Sequence, residues 1–244
     1  MFSGLLRLTW LEIKIFLREP LGVLGTILIP VLVFALLGRG LARGGQAQAN
    51  SFYQSGLPVL VAMMVAISAA LSLVAIISIY REGGILKRLR ATPLSPVTIL
   101  SAHVIVKMLF SMMTLILLFL AGRRFYVGAM TPTPIRFVAA LLLASLAVLT
   151  MGFVIASLVP TARFAQPLGS LLFYPLLGLA FVPTTVLSTP LAALSRISPV
   201  THAVQLLRAA WAGAGWVEHW VNVVALIVSI LVALALTQRV FRWE

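Results

Sequence analysis

Long apolar runs separated by short polar segments dominate the chain. Six runs are long enough to cross about 30 Å of hydrocarbon as helices, and they lie at 21–37, 57–79, 97–122, 137–159, 164–187 and 220–237. This pattern predicts an all-α integral membrane protein in which residues 1–244 form a single transmembrane domain. The third run has to include His103 and Lys107 to reach a spanning length.

Residues 1–19 show a different, amphipathic pattern. Apolar residues recur at every third or fourth position, at Phe2, Leu6, Trp10, Ile13 and Leu17. Basic residues occupy another face, at Arg7, Lys14 and Arg18. An apolar stripe beside a basic face is typical of a helix that lies in the membrane interface rather than crossing it.

Prolines and small residues refine the predicted spans. Pro30 falls near the middle of the first span and predicts a kink there. Alanines at every fourth position of the second span, Ala62, Ala66 and Ala70, predict a face for close helix packing. Pro183 and Pro190 end the fifth span and predict short extracytoplasmic helices before the sixth. In these helices one face carries the apolar residues Val200, Val204, Leu207 and Trp211.

The segment 81–92 interrupts the apolar pattern between the second and third spans. It predicts a short helix with an apolar patch beside Lys87 and Arg88, ended by Pro93. Such a helix docks in a groove of a partner protein, with Leu86 and Leu89 as anchors. The alternative is a basic turn that lies on lipid and contributes only to insertion topology.

Charge and composition exclude several classes of function. The formal net charge is +13, but the basic residues sit at the ends of apolar runs, where they answer to anionic lipid and topology rather than to nucleic acid. Their distribution favours the cytoplasm for both termini. The absence of cysteine excludes disulfides and thiolate metal sites.

Few reactive groups are available for catalysis. None of the five carboxylates falls in a predicted span, and the three histidines lack metal-ligand spacing. The sequence holds neither a phosphate-binding loop nor a nucleophile-elbow serine. We therefore expect a protein that is not an enzyme and binds no metal or other cofactor, while a membrane-embedded hydrolase remains an alternative.

Three segments carry a resemblance to a known family. Residues 81–95 (REGGILKRLRATPLS) resemble the cytoplasmic coupling segment of the ABC-2 type transporter permeases, which follows the second span. Residues 178–183 (GLAFVP) resemble the end of the family's fifth span. Residues 198–208 (SPVTHAVQLLR) resemble a stretch of its drug- and antibiotic-export members. Six spans and an interfacial amino-terminal helix also agree with the family.

The resemblance implies a permease subunit of an ATP-binding cassette exporter in the plasma (cytoplasmic) membrane. Two nucleotide-binding subunits would bind ATP and magnesium and drive outward movement of a hydrophobic or amphiphilic substrate. A second permease copy would complete a homodimer surrounded by membrane lipids, without nucleic acid. The residues that the resemblance assigns to partner coupling are Arg81, Glu82, Gly83, Gly84, Leu86, Lys87, Arg88, Leu89 and Pro93.

Candidate residues for a substrate path come from the spans themselves. His103 and Lys107 lie four positions apart and share a face, where they would meet an anionic substrate. Alternatively, Lys107 reaches the inner interface or pairs with Glu12 or Glu19 of the amino-terminal helix. Phe173 and Tyr174 would line a hydrophobic path or contact lipid.

Alternative functions remain open at this point. Within the family, the alternatives are export of a polysaccharide or lipid-linked glycan, or of sodium. An ion-coupled secondary transporter would need a titratable group within a span, and only His103 and Lys107 qualify.

Overall fold

The computed structural model describes residues 2–18, 20–42, 57–84, 96–125, 134–159 and 161–240. Helices are the regular elements of this described part, which confirms the all-α prediction. In chain order they are α1 (Phe2–Arg18), α2 (Pro20–Val23), a π-helix (Leu24–Leu28), α3 (Ile29–Ala42), α4 (Leu57–Glu82), α5 (Pro96–Phe125), α6 (Pro134–Leu158), α7 (Ala162–Phe181), α8 (Thr189–Ile197), α9 (Pro199–Trp211) and α10 (Trp220–Val240).

Helices α4 and α6 form the centre of the bundle. Ala66 and Ala70 on the predicted small-residue face of α4 are fully buried. A Cβ added to Gly152 of α6 would lie 3.3 Å from the carbonyl oxygen of Ala70, so the two backbones approach closely. Small side chains permit this approach, and the dispersion contacts of the surrounding apolar residues then hold the pair together.

Four helices are long and apolar enough to cross a membrane, judged on the described residues. They are Val59–Glu82, Ile135–Leu158, Arg163–Phe181 and Trp220–Thr237. They correspond to the predicted second, fourth, fifth and sixth spans. The predicted third span lies in α5, where Ser101–Leu117 forms a shorter apolar stretch. The chain is therefore membrane-embedded and helical, and the count of six stays a prediction.

The fifth span ends earlier than the sequence predicts. We predicted 164–187, whereas α7 stops at Phe181. Val182 is already extended, with φ −88° and ψ 131°, because a residue that precedes proline avoids the helical region. Pro183 therefore ends α7 by restricting the backbone of the residue before it. The stop places α8 and α9, the predicted short helices, directly after α7.

The first predicted span is irregular, and its helix extends further than expected. The π-helix Leu24–Leu28 immediately precedes Ile29 and Pro30. Proline removes one backbone donor and its ring collides with the preceding turn, and a wider turn relieves that collision. The predicted span ends at 37, whereas α3 continues to Ala42.

Helix α1 packs on α5 through a line of residues that the apolar stripe did not mark. Its buried side chains are Thr9, Glu12 and Phe16. Phe16 stacks on Phe110 of α5 with ring centroids 4.2 Å apart. Large apolar residues of the predicted stripe, Leu6, Trp10 and Leu17, are exposed instead. The helix thus keeps its stripe available to lipid and faces the bundle with a mixed polar and aromatic surface.

Candidate functional site

The C-terminal end of α4 carries the first residues of the predicted coupling segment. Arg81 and Glu82 form the last turn of α4, so a separate helix beginning at 81 was wrong. The amide of Gly83 donates to the carbonyl of Ile79 (2.9 Å), and that of Gly84 to the carbonyl of Arg81 (3.0 Å). Gly84 has φ +65°, a left-handed conformation that glycine adopts without steric cost. The glycines therefore stop the helix and turn the chain.

Residues at this end differ in what they contact. Arg81 donates from Nη1 to the carbonyl oxygen of Ser157 (3.3 Å), near the C-terminal end of α6. A cation there is favoured because the carbonyls of the last helical turn carry partial negative charge. Glu82 and Gly83 are exposed. The other predicted coupling residues, Leu86, Lys87, Arg88, Leu89 and Pro93, lie outside the described residues, and their role stays a prediction.

His103 and Lys107 meet the amino-terminal helix at one buried place. His103 Nδ1 lies 3.3 Å from Oε2 of Glu12, and the hydroxyl of Tyr80 donates to Oε1 of Glu12 (3.3 Å). Lys107 Nζ donates to Oγ of Ser72 (2.6 Å). These five residues, Glu12, Ser72, Tyr80, His103 and Lys107, form a polar cluster that joins α1, α4 and α5.

Three titratable residues of the polar cluster are almost completely buried, which strengthens their electrostatic interactions. Glu12, His103 and Lys107 are only 6%, 2% and 4% exposed. Burial raises the pKa of the Glu12 carboxyl, while the hydrogen bond from Tyr80 and the charge of Lys107 oppose that rise. Lys107 also lies 4.4 Å above the ring of Phe16, which adds a cation–π attraction.

A cavity of about 130 Å³ opens beside the polar cluster. Glu12, Ser72, His103 and Lys107 form its polar wall, and apolar side chains of α1, α4 and α5 form the rest. Within the described residues no hydrogen-bond partner faces His103 Nε2. The volume of the cavity and its four polar side chains are sufficient for bound water molecules.

The predicted substrate-path residues do not come together. Phe173 is fully buried in the core, whereas Tyr174 is 49% exposed on α7. His103 and Lys107 lie at the polar cluster, on a different set of helices. Lys107 contacts α1 through the ring of Phe16, and its charge acts on Glu12, while an ion pair of Lys107 with Glu12 or Glu19 stays a prediction. A role of the four residues in substrate contact stays a prediction.

The segment that begins at Ser198 has a structural role. His202 Nε2 lies 3.0 Å from the carbonyl oxygen of Arg196, and its Nδ1 lies 2.9 Å from Oδ1 of Asn222 on α10. The guanidinium of Arg208 lies 4.7 Å above the ring of Phe181, and burial lowers the pKa of Arg208. This segment therefore fixes α9 to α7, α8 and α10.

Tyr80 and Ser72 are members of the polar cluster that the sequence did not single out. They lie eight residues apart on α4, which places them on one helical face. His103 and Lys107 lie four residues apart on α5, which also places them on one helical face. A search for two polar pairs on neighbouring spans would have indicated the contact. No group of three histidine, aspartate or glutamate side chains in the described ranges is placed to hold a metal ion.

Comparison with known proteins adds one finding. The family model described as ABC-2 type transporter matches residues 4–211. The match runs from α1 to the end of α9 and includes the end of α4 and the polar cluster. A search of curated proteins found no match.

Proposed function

The chain belongs to the ABC-2 type transporter family, and from this we propose that it is the permease subunit of an ATP-binding cassette exporter. In this proposal it moves a hydrophobic or amphiphilic substrate outward across the plasma membrane. The single observation that carries the proposal is the family match over residues 4–211, which spans most of the 244 residues.

The expected partner subunits follow from the membership of the chain in this family. The family implies association with ATP-binding cassette subunits. We infer two such subunits, which bind the ATP and magnesium, and two copies of this chain as a homodimer within the lipid. The chain itself is then a transport subunit without its own ATP site or enzymatic activity, and both termini lie in the cytoplasm.

The end of α4 supports a route for force into the membrane. Arg81 ties this end to α6 (3.3 Å), while Glu82 and Gly83 remain exposed next to the predicted coupling segment. A push on that segment would reach α4 directly because the chain is continuous. Nucleotide binding would then favour one of two arrangements of the helices, inward-open or outward-open.

A second candidate function draws on the polar cluster. Buried titratable groups within a membrane protein often mark proton or ion pathways, and Glu12, His103 and Lys107 are such groups. An ion-coupled transporter would keep its activity when ATP is depleted and lose it when the pH gradient collapses. The ATP-driven proposal expects the opposite response.

The proposal is tested with the chain and the ATP-binding cassette subunit that co-purifies with it. We expect no ATP hydrolysis by the chain alone and sustained, vanadate-sensitive hydrolysis by the complex in lipid nanodiscs. Lys87→Glu should lower hydrolysis about tenfold, as the loss of about 1.4 kcal/mol of contact energy would.

The matched control is Arg196→Glu, which reverses one exposed basic residue on α8. This variant should keep the hydrolysis rate of the unaltered complex. Equal losses in Lys87→Glu and Arg196→Glu would argue against the predicted coupling segment. Hydrolysis by the chain without any partner would contradict the proposed subunit role.

A further inference from the structure

Glu12 contacts two different spans with its two carboxylate oxygens. Tyr80 of α4 donates to Oε1, and His103 of α5 lies against Oε2, each at 3.3 Å. Since α4 and α5 are the helices on either side of the predicted coupling segment, one side chain of α1 bridges both. A carboxylate with two acceptor oxygens suits this position, because a neutral apolar residue would leave both partners unsatisfied.

The end of α4 is held by contacts with two different helices. Tyr80 reaches α1, and the next residue, Arg81, reaches the C-terminal end of α6 through the carbonyl of Ser157. Two residues later the glycine turn begins. The last rigid turn before the coupling segment therefore contacts three other elements, directly or through Glu12.

A second contact lies two turns deeper in the bundle. Lys107 of α5 donates to Ser72 of α4 at 2.6 Å, eight residues before Tyr80 along α4. Helices α4 and α5 are thus joined at two levels, which resists rotation of one against the other. Phe16 of α1 packs at this deeper level, with its ring stacked on Phe110 and 4.4 Å from Nζ of Lys107.

We propose that Glu12 is a positioning residue that makes α1, α4 and α5 move as one unit when the nucleotide-binding subunits push on the coupling segment. This inference rests on the proposed function. The amino-terminal helix would then transmit force rather than only anchor the chain. Its polar cluster determines one relative arrangement, because alternatives leave buried charges without partners.

The chain's lack of cysteine allows a direct test with introduced pairs of spin labels. Cysteines at Leu6 of α1 and Leu109 of α5, both exposed, report the distance inside the proposed unit. Cysteines at Leu109 and at the exposed Leu231 of α10 report movement of the unit against another span. Labelled chain is mixed with excess unlabelled chain, so that one copy in a complex carries the labels.

The unaltered chain should give a narrow α1–α5 distance distribution that ATP with vanadate does not shift. The α5–α10 distance should shift under the same conditions. Glu12→Gln removes the charge at constant size, and Tyr80→Phe removes one hydroxyl. Each should broaden the α1–α5 distribution about twofold and reduce the ATP-induced α5–α10 shift by about half, since each weakens a buried hydrogen bond. The exposed carboxylate control, Glu218→Gln, should change neither distance.

Three results distinguish this role from a purely structural one. The double variant of Glu12→Gln with Tyr80→Phe should broaden the α1–α5 distribution by less than the sum of the two single variants, because Tyr80 acts through Glu12. Variants that only lower the melting temperature and keep the full α5–α10 shift would overturn the proposal. So would an ATP-induced change of the α1–α5 distance in the unaltered chain.

Failure of the proposed function would look different. In that case the partner subunit would produce neither hydrolysis nor an α5–α10 shift. The width of the α1–α5 distribution in the chain alone, with and without Glu12→Gln, would still decide whether Glu12 holds the unit together. An equally narrow distribution in both would reject the role of Glu12.

Discussion

At the scale of single residues, Glu12 interacts with three polar or charged side chains of the polar cluster. Its carboxyl lies between a phenol, an imidazole and an ammonium group, and it is 6% exposed. Burial penalises the charged carboxylate, whereas Tyr80 and Lys107 favour it. The net result is a raised pKa, so Glu12 holds its proton more readily in the folded protein than in the unfolded chain.

This raised pKa predicts a pH dependence of stability. Between pH 4.5, the ordinary value for glutamate, and the raised pKa, the folded state binds more protons than the unfolded state. The free energy of unfolding therefore falls as pH rises through this window, by at most about 1.4 kcal/mol per pH unit for one proton. Glu12→Gln cannot titrate, so its melting temperature should fall less than that of the unaltered chain over the same range.

Thermal unfolding in detergent at a series of pH values measures the difference. Glu218→Gln, which alters an exposed carboxylate, should retain the slope of the unaltered chain. Parallel melting curves for the unaltered chain and Glu12→Gln would show that Glu12 does not change its proton affinity on folding.

Residue spacing predicted part of the polar cluster and left the rest undetermined. Positions 103 and 107 had to share a face, and Glu12 was one of two candidates to pair with Lys107. The choice of Glu12 depends on how α1 rotates about its axis, and the apolar stripe, which predicts contact with the membrane interface, does not specify which residues face the bundle. Phe16 and Thr9, not Leu6 or Trp10, contact the bundle, because lipid accepts the apolar stripe as readily as protein does.

At the scale of elements, close packing of the helices holds α4 and α6 together, rather than the burial of apolar surface away from water. Gly152 of α6 lies against the backbone of Ala70 in α4. Lipid is as apolar as the helix surfaces, so packing density rather than transfer from water favours this contact. A Cβ at position 152 would lie 3.3 Å from the carbonyl oxygen of Ala70, which leaves no room for a larger side chain without a shift of α4 or α6.

Gly152→Val should therefore destabilise the protein. The added side chain would force a shift of the backbone, at a cost of about 1–3 kcal/mol for overpacking. Gly178→Val on α7 is the matched control, because nothing lies within 4 Å of the Cβ it would add. Both variants change the helix propensity alike, so the difference between their melting temperatures isolates the packing effect. Equal melting temperatures would contradict the close contact of α4 and α6.

Helix positions followed from the apolar runs, but helix ends did not. Hydropathy has no sharp boundary at a helix end, and both α3, which continues to Ala42, and α5, which continues to Phe125, extend past the predicted spans. Local backbone rules would have predicted the ends of two helices more accurately. Val182 precedes a proline and leaves the helix, and Gly84 supplies the left-handed turn that ends α4.

At the scale of the whole molecule, burial is distributed unevenly among the helices. Two thirds of the apolar window of α4 is buried (67%), whereas that of α10 is only 22% buried. In the proposed function, α4 would receive the force at its end and the less buried α10 would contact lipid or a second copy. In the same proposal, ATP hydrolysed by a partner drives the chain to move its substrate outward.

The most direct measurement is uptake of a fluorescent amphiphile by inside-out vesicles that contain the complex. Outward export fills such vesicles, so the account predicts uptake that requires ATP, stops with vanadate and persists when an ionophore collapses the pH gradient. Uptake that continues without ATP and ends with the pH gradient would contradict it.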